Sequence, residues 1–204
     1  MKYIEIYLFI SLILIYLIKS KFQNKNITLK YSTIDHKEYF ILNQPDSIKA
    51  ANQLAIVNKK IRKLFNCCKK SVNRKEGIDR MISKYDFDSL SELNPNSKYS
   101  AYSLNKGEKI KLCLRDINMV LINDINSSMF IICHELSHLM TIEEQHPPIF
   151  WDNMVFILNK AKECGIYNPI DYSKYPIKYG SNIINNNPLF TTNKKGNKKY
   201  PYIN

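Results

Sequence analysis

Residues 131–151 read IICHELSHLMTIEEQHPPIFW, and their spacing governs how the rest of the chain is understood. His134 and His138 stand four apart, so on a helix both imidazoles leave one face a single turn apart. That separation suits two nitrogen ligands of one tetrahedral zinc at about 2.0 to 2.1 Å. Met129, Ile132, Cys133, Leu136 and Met140 recur at helical spacing away from that face and give the helix an apolar stripe to bury. Glu135 sits beside the first imidazole, where a carboxylate can act as general base towards a metal-activated water without itself ligating. His146 comes where the helical pattern breaks, just before Pro147-Pro148, and a loop there can swing a third imidazole to the metal. Three protein ligands leave a fourth position for water, the arrangement of catalytic rather than structural zinc. Three of the four histidines of the chain fall in this one segment, so the pattern has more behind it than a chance HExxH.

Working outward, the helix carrying HELSH begins near Asn126 or Ser127 and runs to about Thr141. The next starts at Pro147-Pro148, which suits a first helical turn, and ends at Gly165, a good residue for a left-handed stop. Upstream, KIKLCLR (109–115) alternates Ile110, Leu112 and Leu114 with Lys109, Lys111, Cys113 and Arg115, a half-buried strand with the second set outward. Turn chemistry brackets it: ELNPNSKYS at 92–100 and Asn105-Lys106-Gly107. A short helix is expected about Arg80 to Tyr85. A longer one follows Pro45, capped by Asp46 or Ser47, with Ile48, Ala51, Ala55, Ile61, Phe65 and Cys68 near a 3.6-residue period. These elements predict an α+β domain.

The segment HELSH, a His shortly before FW, and the helix FILNKAKECGIYNP (156–169) together resemble the WLM group of zinc metallopeptidases, especially the branch encoded by large DNA viruses. YSLNKGEKIKLCLRD (102–116) resembles that branch too, so the likeness spans roughly 50–189. It implies a zincin-like fold, in which a small sheet packs on the active-site helix and an edge strand flanks the cleft; KIKLCLR is the candidate for that strand. It also implies one zinc ion per chain held by His134, His138 and His146, with Glu135 as the catalytic carboxylate. Two positions depart from the branch: Gln145 stands where Gly is common before the third His, and a Tyr-Cys-Gly element is present as Tyr179-Gly180 without the Cys. Met154 lies inside a helix rather than in a turn after His146, against a Met-turn metzincin. Tyr179 is a candidate oxyanion or substrate donor, since a phenol near zinc can fill that role. Phe150 and Trp151 are expected to anchor the core under the His146 loop, and Glu143 and Glu144 to be solvated loop acids.

A chain of 204 residues with 45% hydrophobic content holds one compact domain and an appendage, which excludes a large multidomain enzyme. The formal charge of +12 comes from lysines spread along the chain, so nucleic acid and anionic lipid are both compatible partners and neither is singled out. Residues 6–18, IYLFISLILIYLI, are almost wholly apolar and predict a transmembrane helix within an N-terminal membrane anchor at 1–22. LIKSKFQ lacks the small-x-small pattern of a cleaved signal. Lys19, Lys21 and Lys25 then place the catalytic domain on the cytosolic or virion-interior side of a single-pass membrane protein. Residues 23–44 read as a Lys-rich tether, 45–190 as the zincin-like domain and 191–204 as a basic flexible tail. Five cysteines without regular spacing predict buried thiols in a reducing compartment. The function expected is a membrane-anchored zinc metallopeptidase acting on a protein or peptide substrate, and the rival is an inactive membrane or virion scaffold that keeps the fold.

Overall fold

A computed structural model describes residues 26–104 and 109–191. The described residues open with an antiparallel hairpin, β1 (Ile27–Tyr31) and β2 (Glu38–Leu42), with Leu29 opposite Phe40. Tyr39, Ile41 and Leu42 turn inward, and the Asn52 amide oxygen accepts from Thr33 N–H (2.8 Å) and Ser32 Oγ (3.0 Å), tying the turn to the next helix. The tether expected over 23–44 is thus a packed hairpin from Ile27 onward. Its charged residues mask the period-two alternation, because Lys30 lies within β1 and Lys37 and Glu38 stand at the start of β2.

Helix α1 (Ser47–Cys68) buries Ala50, Ala51, Leu54, Ala55, Val57, Ile61, Leu64, Phe65 and Cys68, whereas Ile48 stays on the surface. Helix α2 (Lys75–Lys84) leads to β3 (Ser91–Leu93), β4 (Ala101–Leu104) and β5 (Lys109–Cys113). Their order is β3-β5-β4, with β3 parallel and β4 antiparallel to β5. KIKLC is therefore the central strand and not the edge expected beside the cleft; that edge is β4. The expected Asn105-Lys106-Gly107 turn lies outside the described residues.

Helix α3 (Ile125–Met140) starts at Asp124, whose carboxylate accepts from the Ser127 N–H at 3.0 Å, a cap that satisfies one of the first-turn donors. Helix α4 (Pro148–Glu163) begins on a proline and stops before Gly165, which takes φ 62°. A second hairpin, β6 (Ile177–Tyr179) and β7 (Asn182–Ile184), turns at Gly180 with φ 60°. A Cβ at Gly180 would lie 2.7 Å from Cys113 Sγ, so the turn can press on β5 only without a side chain.

Arg115, expected on the outer face of its strand, is buried with Cys113. Its guanidinium pairs with Glu92 (2.8 Å) and Asp46 (2.6 Å), and Glu92 also accepts from Leu42 N–H at 2.8 Å. The cluster joins β2, β3, the start of α1 and the end of β5; a buried charge is tolerated because each face of it is partnered. Cys67 and Cys164 form a disulfide between the ends of α1 and α4, while Cys68, Cys113 and Cys133 are buried thiols. The odd count that predicted a reducing compartment conceals this pair, so it carries no statement of compartment.

The fold class is corrected in one respect: the described residues are α+β, and no helix among them is long and apolar enough to cross a membrane, so the transmembrane helix is not supported. The anchor expected at 1–22 lies outside the described residues, as does the basic tail beyond 191. The single-pass membrane placement is withdrawn with it.

Candidate metal centre

Helix α3 presents His134 and His138 one turn apart, with ring centroids separated by 5.0 Å. The helix ends at Met140 with Thr141 as its cap, and side chains from elsewhere fix that end. Arg80 Nη1 donates to the Met140 carbonyl at 2.6 Å, and the Asn153 amide donates to Thr141 Oγ1 at 3.0 Å. From this clamped stop the chain reverses through Gln145, whose φ of 63° lies in the left-handed region. A residue with a Cβ is strained there by about 1 kcal/mol, so glycine would suit the position better. The reversal returns His146 to the helix face: its centroid is 5.0 Å from His134 and 4.9 Å from His138.

One nitrogen from each imidazole lies within 4.8 Å of the others, and the His134 and His146 Nε2 atoms are 3.2 Å apart. Nitrogens each about 2.0 to 2.1 Å from a tetrahedral zinc stand roughly 3.3 Å from one another, so that pair has the spacing, and three histidines are a donor set that ion takes. Beneath it, fully buried Phe150 meets all three imidazoles, with centroid distances of 4.9, 4.4 and 4.6 Å. Trp151 stacks at 5.6 Å from His146. Both aromatics support the loop from α4.

Burial holds the imidazoles neutral, the form that ligates. His134 is driven well below the ordinary histidine range by burial and then by its two neighbours. Burial, then His146, lowers His138 to about 4, and burial lowers His146. Glu135, 6% exposed, is pushed up to about 7 by burial, with the Ser103 backbone N–H acting against the rise.

The four side chains line a cleft of about 320 Å³, closed on one side by Tyr99, Ala101, Tyr102 and Ser103 and on the other by Glu143, Glu144 and Gln145. The Cys113 N–H donates to the Ser100 carbonyl at 2.8 Å, and Ala101 pairs with Leu112. In an antiparallel ladder bonded pairs alternate, so Ser100, Tyr102 and Leu104 face β5 while Ala101 and Ser103 face the open edge.

His134, Glu135, His138 and His146 are thus gathered at one place. Tyr179 is not with them. It is 1% exposed, its hydroxyl bonds Ser128 Oγ at 2.9 Å, and it is absent from the cleft lining, so it packs the other end of α3. Glu143 and Glu144 are exposed on the rim. Ser103 and its strand were missed, although the Asn-Lys-Gly turn between AYSL and KIKLC is a hairpin signal.

The sequence model of the WLM domain matches residues 70–198. The chain belongs to the WLM family. This WLM protein is also 30% identical to an uncharacterized protein of Acanthamoeba polyphaga mimivirus over 190 residues, which is 91% of this chain and 96% of that protein. That relative agrees with the resemblance to the viral branch. No solved structure matches the WLM chain.

Proposed function

We propose that the protein is a zinc-dependent metallopeptidase. The observation that carries the reading is the gathering of three neutral imidazoles and the Glu135 carboxyl in one cleft beside an open strand edge. WLM membership points to the same class of chemistry. His134, His138 and His146 would hold the zinc, which when bound would supply Lewis acidity and lower the pKa of a water. Glu135 would take up a proton on its carboxylate as general base and pass it to the leaving amine. A carboxyl whose proton affinity sits close to neutrality serves in both directions, and burial gives Glu135 that character. The Ser103 N–H orients the carboxylate. The Ala101 N–H and carbonyl and the Ser103 carbonyl receive an extended peptide as an added strand, so main-chain bonds position the substrate.

Hydrolysis of unfolded casein by the zinc-loaded chain tests this. Activity is expected to disappear on chelation, to return with zinc, and to be absent from Glu135→Gln with its metal retained. Undiminished hydrolysis by Glu135→Gln would overturn the mechanism.

A further inference from the structure

Strand β4 carries a polar group that the mechanism above does not use. Ser103 stands opposite Ile110, and Ala101 opposite Leu112. Directly paired residues share a sheet face, so the Ser103 side chain lies on the face of Ile110 and Leu112, which are fully buried. Its Oγ is buried and has no hydrogen-bond partner, while the residue lines the cleft with His134 and Glu135. Among the described residues lining the cleft, no other side chain has a buried, unpartnered polar atom. Leaving a buried hydroxyl unbonded is destabilising, a cost that an alanine or valine would avoid. A partner arriving in the cleft beside it could satisfy the hydroxyl.

We infer that the Ser103 hydroxyl is a substrate-binding group, donating a hydrogen bond to a carbonyl oxygen of the bound peptide next to the scissile bond. The location follows from the cleft: Ser103 lines it together with His134 and with Glu135, the group that would move the proton at that bond, so the hydroxyl works close to it. The carbonyl and N–H of β4 would hold any extended peptide alike, and the hydroxyl fixes which residue of the strand stops over the metal. The inference rests on the peptidase reading.

The test has two arms. In the first, the zinc-loaded full chain carrying Glu135→Gln is titrated into fluorescein-labelled random decapeptides and binding is read by anisotropy, with and without Ser103→Ala or Ser103→Thr. Loss of one neutral hydrogen bond predicts binding weakened about 5- to 10-fold by Ser103→Ala and held within about 2-fold by Ser103→Thr, which keeps the hydroxyl. In the second, the same substitutions in the active chain raise KM by a like factor while kcat stays within about 2-fold, as for a contact made equally in ground and transition states. Unchanged binding with Ser103→Ala, or failure of Ser103→Thr to restore it, overturns the inference. Weakened binding by Ser103→Ala without hydrolysis by the active chain upholds the contact and overturns only the peptidase reading. No peptide binding by the unsubstituted cleft overturns both.

Discussion

Glu135→Gln should make the metal-free protein more stable at alkaline pH while abolishing its activity, and the size of the gain follows from the burial of the carboxyl. In the fold the group holds its proton up to about 7, against an ordinary 4.5. A folded-state value raised above the unfolded one means that the contribution is fully present below pH 4.5, erodes as pH climbs through the interval, and is lost above 7. At 1.36 kcal/mol per pH unit this amounts to about 3 kcal/mol at pH 8 and less than about 1 at pH 5. Gln is neutral throughout, has nearly the same shape, and still accepts from the Ser103 N–H. Urea unfolding of both proteins in chelator, at pH 5 and pH 8, measures the difference. The variant is expected to lead by about 3 kcal/mol at the higher pH only, a large share of a typical 5 to 15 kcal/mol. Zinc should narrow the gap, because a cation beside the carboxylate favours its charged form. A gap independent of pH, or a native chain that is the more stable at pH 8, would refute the argument that burial sets the basicity of Glu135.

Gln145→Gly removes the Cβ from a left-handed residue and should stabilise the loop by up to about 1 kcal/mol with zinc content unchanged, read as a rise in the urea midpoint. Phe150→Ala opens a void under all three imidazoles and is expected to cost about 3 to 5 kcal/mol, with zinc affinity falling alongside stability in a competitive chelator titration. Arg115→Met strands Glu92 as a buried unpaired charge and should cost about 3 to 5 kcal/mol. Adding Glu92→Met should return much of that loss in thermal melts.

The sequence and the fold agree best where local rules dominate. The HELSH helix, its proline-started successor and the Gly165 stop are written in capping and period, and the four-residue spacing of His134 and His138 needs nothing beyond helix geometry. His146 is a different case, since its return depends on the left-handed Gln145 and on Phe150 beneath it, which no spacing rule encodes. Three readings failed for long-range reasons. The outward phase assigned to Arg115 was reversed because Glu92 and Asp46 meet it from distant strands and helix. The hairpin at Ile27–Leu42 was hidden by its charged residues, and its burial exists only against α1. Strand β4 took the edge position from KIKLC because β3, short and separated by a turn, pairs on the other side. The Tyr179 reading failed differently: a tyrosine rich in functional potential was drawn into the core by Ser128, and only a three-dimensional placement tells a packed phenol from a reactive one. The disulfide between Cys67 and Cys164, 97 residues apart, is likewise a product of how α1 and α4 lie together.

The claim on which everything else depends is that His134, His138 and His146 hold one zinc ion together. Elemental analysis of the purified full chain beside His134→Ala and His146→Ala, after dialysis against buffer with trace zinc, addresses it directly. The account predicts about one zinc per chain in the native protein, none in His134→Ala and weakened retention in His146→Ala, all three remaining folded. A folded native chain without zinc, or a His134→Ala chain that keeps as much as the native one, would contradict it.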